Sequence, residues 1–65
     1  MTKEGHHEFT NAFNCVNDAI RKLKVASEIC PEYKPLLDDA RSLCTSMYDM
    51  WNQGVIKGRE EGWFK

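Results

Sequence analysis

Residues 30 to 35 read CPEYKP, and the fold turns on them. Proline cannot continue a helix, because it lacks the N–H and its ring meets the carbonyl one turn back; it also drives the residue before it toward extended backbone. Pro31 therefore stops any helix that reaches it. Pro35 suits the first turn of a new helix, where a missing N–H costs no intrahelical bond. Asp38 and Asp39 follow, placed for the positive end of a helix dipole. So short a connection makes the two helices run antiparallel.

Upstream, Phe9, Phe13, Val16, Ile20, Leu23, Ser27 and Cys30 are spaced by alternating fours and threes, the stripe of a heptad helix. Ala12, Ala19 and Ala26 flank it, seven apart, and are small enough to admit a neighbouring helix. Most of the polar residues, Asn11 to Lys24, lie off the stripe. Downstream, Leu37, Ala40, Cys44, Met47, Trp51, Gly54 and Gly58 repeat the pattern. A second column at Leu36, Leu43 and Met50 runs beside it, and Tyr33, Tyr48 and Val55 widen the arc. The fold class is all-α: an antiparallel hairpin with helices over about 7–30 and 35–57. It forms a single domain, residues 1–65, with 1–6 and 59–65 as less regular ends. One partner helix covers only the first stripe of the second helix. Val25 and Ile29 add a further apolar patch. A homo-oligomer is expected, its smallest form a four-helix-bundle dimer.

With the turn centred near residue 33, opposed positions carry numbers that sum to about 65. Phe9 and Phe13 then face Trp51 to Gly58. Cys15 falls beside Met50 and Trp51, Cys30 beside Leu36, and Cys44 beside Arg21 and Lys22. No intrachain disulfide is expected from that register. Three cysteines at long spacings read as reduced, largely buried thiols.

At 65 residues the chain makes one domain, and 42% hydrophobic with 29% charged content makes it globular. A net charge of −1 argues against a general nucleic-acid binder. No apolar run spans a membrane, and the opening MTKEGHHEF is no signal peptide, so a cytoplasmic location is expected. His6, His7 and Glu8 are adjacent and diverge on a helix, which leaves them as a solvated N-terminus and not a metal site. Asp38 and Asp39 diverge likewise. No Cys-His constellation, P-loop or dinucleotide fingerprint occurs. The expectation is a non-enzymatic protein without metal or other cofactor.

Residues 51 to 65 read WNQGVIKGREEGWFK, with glycine at 54, 58 and 62. Two readings of these glycines stand. Either they bare the backbone beneath Phe9 and Phe13, or they end the helix near 54 to 58. Under both, Trp63 and Phe64 lie past the start of the first helix, where their own chain offers little cover. With Lys57, Arg59 and Lys65 they mix cations and rings, a combination that suits phosphates and stacked bases or a protein hot spot. Arg21, Lys22 and Lys24 form a second basic group. Lys57, Arg59, Trp63, Phe64, Arg21, Lys22 and Lys24 are the candidate ligand-binding residues.

The heptads and the short turn, over about residues 8 to 58, resemble two families of helical hairpins that work as oligomers. One is the Rop-like plasmid proteins, whose dimers bind paired RNA. The other is the small phage anti-defence proteins that sequester cyclic-nucleotide signals at subunit interfaces. The likeness is one of architecture and carries over no single residue. It implies a sponge for a small cyclic nucleotide or, alternatively, an adaptor for RNA or a partner protein. In either case the first partner is a second copy of the chain.

Overall fold

The computed structural model describes residues 1–64. Two long helices, α1 (Lys3–Ile29) and α2 (Lys34–Glu61), are joined by one 3-10 turn, Pro31–Tyr33. They lie side by side as a hairpin of 46 × 15 × 13 Å. Thr2 caps α1: its backbone is extended, and its Oγ1 accepts the Gly5 N–H at 3.1 Å. The cap starts α1 a turn ahead of the apolar stripe, so residues 3 to 6 are helical. α1 ends where Pro31 demands. Cys30 is extended (φ −126°, ψ 98°), and its N–H still donates to the Ala26 carbonyl.

The 3-10 turn begins at Pro31 and runs straight into α2, with Pro35 in the first turn of that helix. The chain therefore reverses at Cys30–Pro31, and residues 31 to 33 already belong to the second arm. Thr10 meets Trp51, Phe13 meets Tyr48 and Asn17 meets Cys44, and each pair of numbers sums to 61. The expected register, near 65, is thus off by one helical turn, about 6 Å along the axis. Cys44 faces Asn17, not Arg21 and Lys22, and its thiol donates to Asn17 Oδ1 at 3.3 Å.

All three cysteines are free, and they are less covered than expected. Cys15 and Cys30 are exposed and Cys44 is half-buried. The cause is geometric, since each helix hides only the strip that faces the other. Cys15, two residues from both Phe13 and Asn17, sits on the far side of α1.

That seam is thin. Leu37, at 4% exposure, is the one buried hydrophobic side chain among the described residues. Phe9, Phe13, Val16, Ile20 and Leu23 are half-buried, as are Ala40, Met47 and Trp51 opposite them. Two polar contacts lock the register. The Trp51 indole N–H donates to Thr10 Oγ1 at 3.1 Å, and that hydroxyl donates to the His6 carbonyl at 2.9 Å. Cys44 and Asn17 form the second contact. The column beside the seam stays open: Leu36 is 55% exposed, Leu43 53% and Met50 46%.

These burials set an order of stability effects. Leu37→Ala should cost ~2–5 kcal/mol, as buried truncations do. Trp51→Phe should cost ~1 kcal/mol, the net worth of its indole hydrogen bond. Urea melts followed by circular dichroism check both. A Leu37→Ala midpoint equal to wild type would contradict the seam described above.

Candidate functional site

The glycines of α2 have three separate causes. Gly54 and Gly58 are buried within a helix that does not break until Glu61. At Gly54 a Cβ would collide with the His6 imidazole of α1. At Gly58 it would lie 2.5 Å from Phe64 Cε2 and 2.8 Å from Trp63 Cε3. Gly62 has φ 73°, the left-handed conformation that ends a helix and that glycine alone adopts without strain. The amides of Gly62 and Trp63 both donate to the Gly58 carbonyl, the latter at 2.8 Å. The chain thereby folds back, and its two rings lie over Gly58.

His6 completes this arrangement. Its ring centroid lies 6.2 Å from Trp51, 6.0 Å from Trp63 and 5.7 Å from Phe64, the last edge-on. Residues 3–6 are thus helical, and His6 is half-buried among rings. Trp63 is half-buried against its own chain, contrary to the expectation that the hairpin could not reach it. The early start of α1 and the left-handed turn at Gly62 bring the two ends together. Phe64 remains 56% exposed.

Of the candidate basic residues, Arg59 borders Phe64, and the others line neither hollow formed by these rings. Lys57 and Arg59, two apart on a helix, diverge by about 160°. Lys57 is held by Glu61 at 3.1 Å, whereas Arg59 borders a small hollow with Gly58, Gly62 and Phe64. Lys65, counted with the tail in the sequence reading, lies outside the described residues. Arg21 pairs with Asp18 at 3.3 Å, and Lys22 and Lys24 are exposed. This group sits 15 residues along α1 from His6, about 22 Å away. The seven candidates thus fall into two separate places.

A third place escaped the sequence reading. Phe13, Tyr48 and Trp51 form a triangle with centroids 6.2, 6.3 and 6.4 Å apart. They line an open groove between the helices together with Asn17, Arg41 and Thr45. The guanidinium of Arg41 enters no ion pair or hydrogen bond among the described residues. Trp51 also lines the next hollow, which ends at His6, Trp63 and Phe64. One sequence signal for this groove existed. Arg41 and Tyr48 are seven apart, two turns along one face of α2.

Among the described residues, no three His, Cys, Asp or Glu side chains are grouped to hold a metal ion. No helix is long and apolar enough to cross a membrane. Compared with protein-family models, with curated proteins and with solved structures, the chain matches none.

The C-terminal turn is open to direct test. Gly62→Ala forces a left-handed backbone on a residue with a Cβ and should cost ~1–2 kcal/mol. Gly62→Asn, a residue that tolerates that conformation, should cost less. Tryptophan emission should move to the red in Gly62→Ala as Trp63 leaves its cover. Equal melts for Gly62→Ala and wild type would remove the turn from this account.

Proposed function

We propose that the chain is a non-enzymatic binding protein that works as a homo-oligomer, at smallest a dimer of hairpins, and sequesters a small nucleotide signal, as the phage sponge proteins do. One observation carries the oligomer: a largely apolar flank of the hairpin, with Glu8, Lys57 and Glu61 toward its open end, is left without cover. Ala12, Ala19 and Ala26 run along α1 on the same side as Leu36, Leu43 and Met50 on α2, each column stepping by seven. Phe9 and Met50 border one hollow and fix the side on which the two columns meet. A second copy is the occupant that a surface with this repeat fits, since heptad columns pack against heptad columns.

Area supports the same reading. A compact monomer of 7.6 kDa exposes about 4,300 Å², whereas this hairpin exposes 5007 Å². The excess, about 700 Å², is close to the ~800 Å² that one partner buries in a standard interface. The nucleotide half of the reading is supported by the groove on the other flank, where three rings and an unpaired guanidinium stand together.

Sedimentation and melting test the proposal. Melting temperature should rise with protein concentration, because association stabilises only the folded chain. Leu43→Glu should leave a monomer or an unfolded chain. A folded wild-type monomer throughout the micromolar range would end the oligomer reading. In the same assay, one or more of AMP, GMP, cyclic AMP, cyclic GMP, cyclic di-AMP and cyclic di-GMP should raise the melting temperature. No shift with any of them would end the nucleotide reading and favour a protein or RNA partner.

A further inference from the structure

The geometry points to the groove between Phe13, Asn17, Arg41, Thr45, Tyr48 and Trp51 as the binding site, one that takes a planar base on its rings and an anionic phosphate on Arg41. This rests on the nucleotide reading above and moves its site away from the C-terminal tail. Three features select that ligand chemistry.

The first is the rings. Tyr48 is 53% exposed, so the three-ring triangle offers a free face to the groove. A base stacks on such a face whatever its identity, because every base has a π-surface. A purely aliphatic ligand would gain nothing from rings over the aliphatic residues that fill the rest of the seam.

The second is charge. Arg41 is a planar fork of N–H donors, suited to grip phosphate oxygens in pairs. Two of the cations named in the sequence are committed elsewhere: Lys57 to Glu61 and Arg21 to Asp18. Arg41 has no such partner among the described residues. Lys34, seven residues before it, and Lys24, seven after Asn17, occupy the same flank. Asp38 and Glu28 share it, Asp38 one turn before Arg41 without pairing to it. With cations and carboxylates mixed, the flank does not suit a long polyanion, and Arg41 beside the rings is the cation offered to a small anion.

The third is position. Leu43 and Tyr48 are five residues apart, about 140° around α2. The uncharged columns and the groove thus lie on opposite flanks. A dimer formed through Leu36, Leu43 and Met50 leaves the groove open, so assembly and binding do not compete for surface. The Asn17 amide and the Thr45 hydroxyl, both on the groove, supply hydrogen bonds to a base edge or sugar.

Titration calorimetry on the full chain tests the site. The tightest nucleotide from the panel above is compared with its nucleoside and with ribose 5-phosphate. Both fragments should bind at least tenfold more weakly, because each lacks one half of the recognition. Arg41→Gln and Tyr48→Leu should each weaken the whole nucleotide at least tenfold, and Arg41→Lys should lose less than Arg41→Gln. Arg41 is exposed and its guanidinium pairs with no described residue, and leucine keeps the apolar contact with Phe13, so both variants should fold. Sedimentation and circular dichroism check that they do. Wild-type affinity in Arg41→Gln and Tyr48→Leu overturns the groove and leaves the nucleotide reading standing. If no nucleotide binds the wild-type chain, both fall.

Discussion

Two helices touch along a line. Each is about 10 Å across, and a single neighbour covers only the strip of side chains that faces it. In this hairpin that strip buries Leu37 and half-buries the rest. Every other feature answers to that constraint. Alignment along the line must come from a few specific contacts, because generic apolar packing tolerates a slip. Trp51 on Thr10 and Cys44 on Asn17 supply it, one at each end of the central stretch. A shift of one turn would break both hydrogen bonds between the helices.

The same constraint gives the hairpin two unlike flanks. On one, alanines and large aliphatics repeat every seven residues, with few charges beside them. On the other, aromatic rings alternate with amides, hydroxyls and cations. The difference is one of angular position on each helix, so it is fixed as soon as the register is fixed. In the proposed assembly the first flank meets a second copy, and the second stays available to a ligand. A small protein gains from this separation. Its core and its site need not be built from the same few side chains.

The hairpin, the turn and both apolar stripes were legible in the sequence, because proline and heptad spacing act locally. The register was not. It depended on whether residues 31 to 33 belong to a loop or to the second helix, and CPEYKP is compatible with both. Thr2 was readable as a cap but stands outside the apolar periodicity, so the start of α1 was set a turn late. That error hid His6, and without His6 the tail rings had nothing to meet. The groove was hidden for another reason. Arg41 and Tyr48 are ordinary surface residues in the sequence, and only the position of Phe13 across the seam makes them a site.

The C-terminal glycines show how local and long-range causes combine. Gly54 and Gly58 share one face of α2, since a step of four returns nearly to the same side, and Gly62 caps its end. Gly54 admits a ring from the other helix, Gly58 admits rings from the chain's own end, and Gly62 bends that end back. Each works only if the others do. A side chain at 54 would displace His6 and uncover Trp63. A right-handed backbone at 62 would carry Trp63 and Phe64 past the hairpin into water. A helix with two interior glycines should fray, at ~1 kcal/mol each against alanine. This one is held by contacts that the glycines themselves make room for. His6 stacks near Trp51, and Trp51 also closes the groove beside Arg41. The end of the hairpin is thereby coupled through one indole to the place proposed for the ligand.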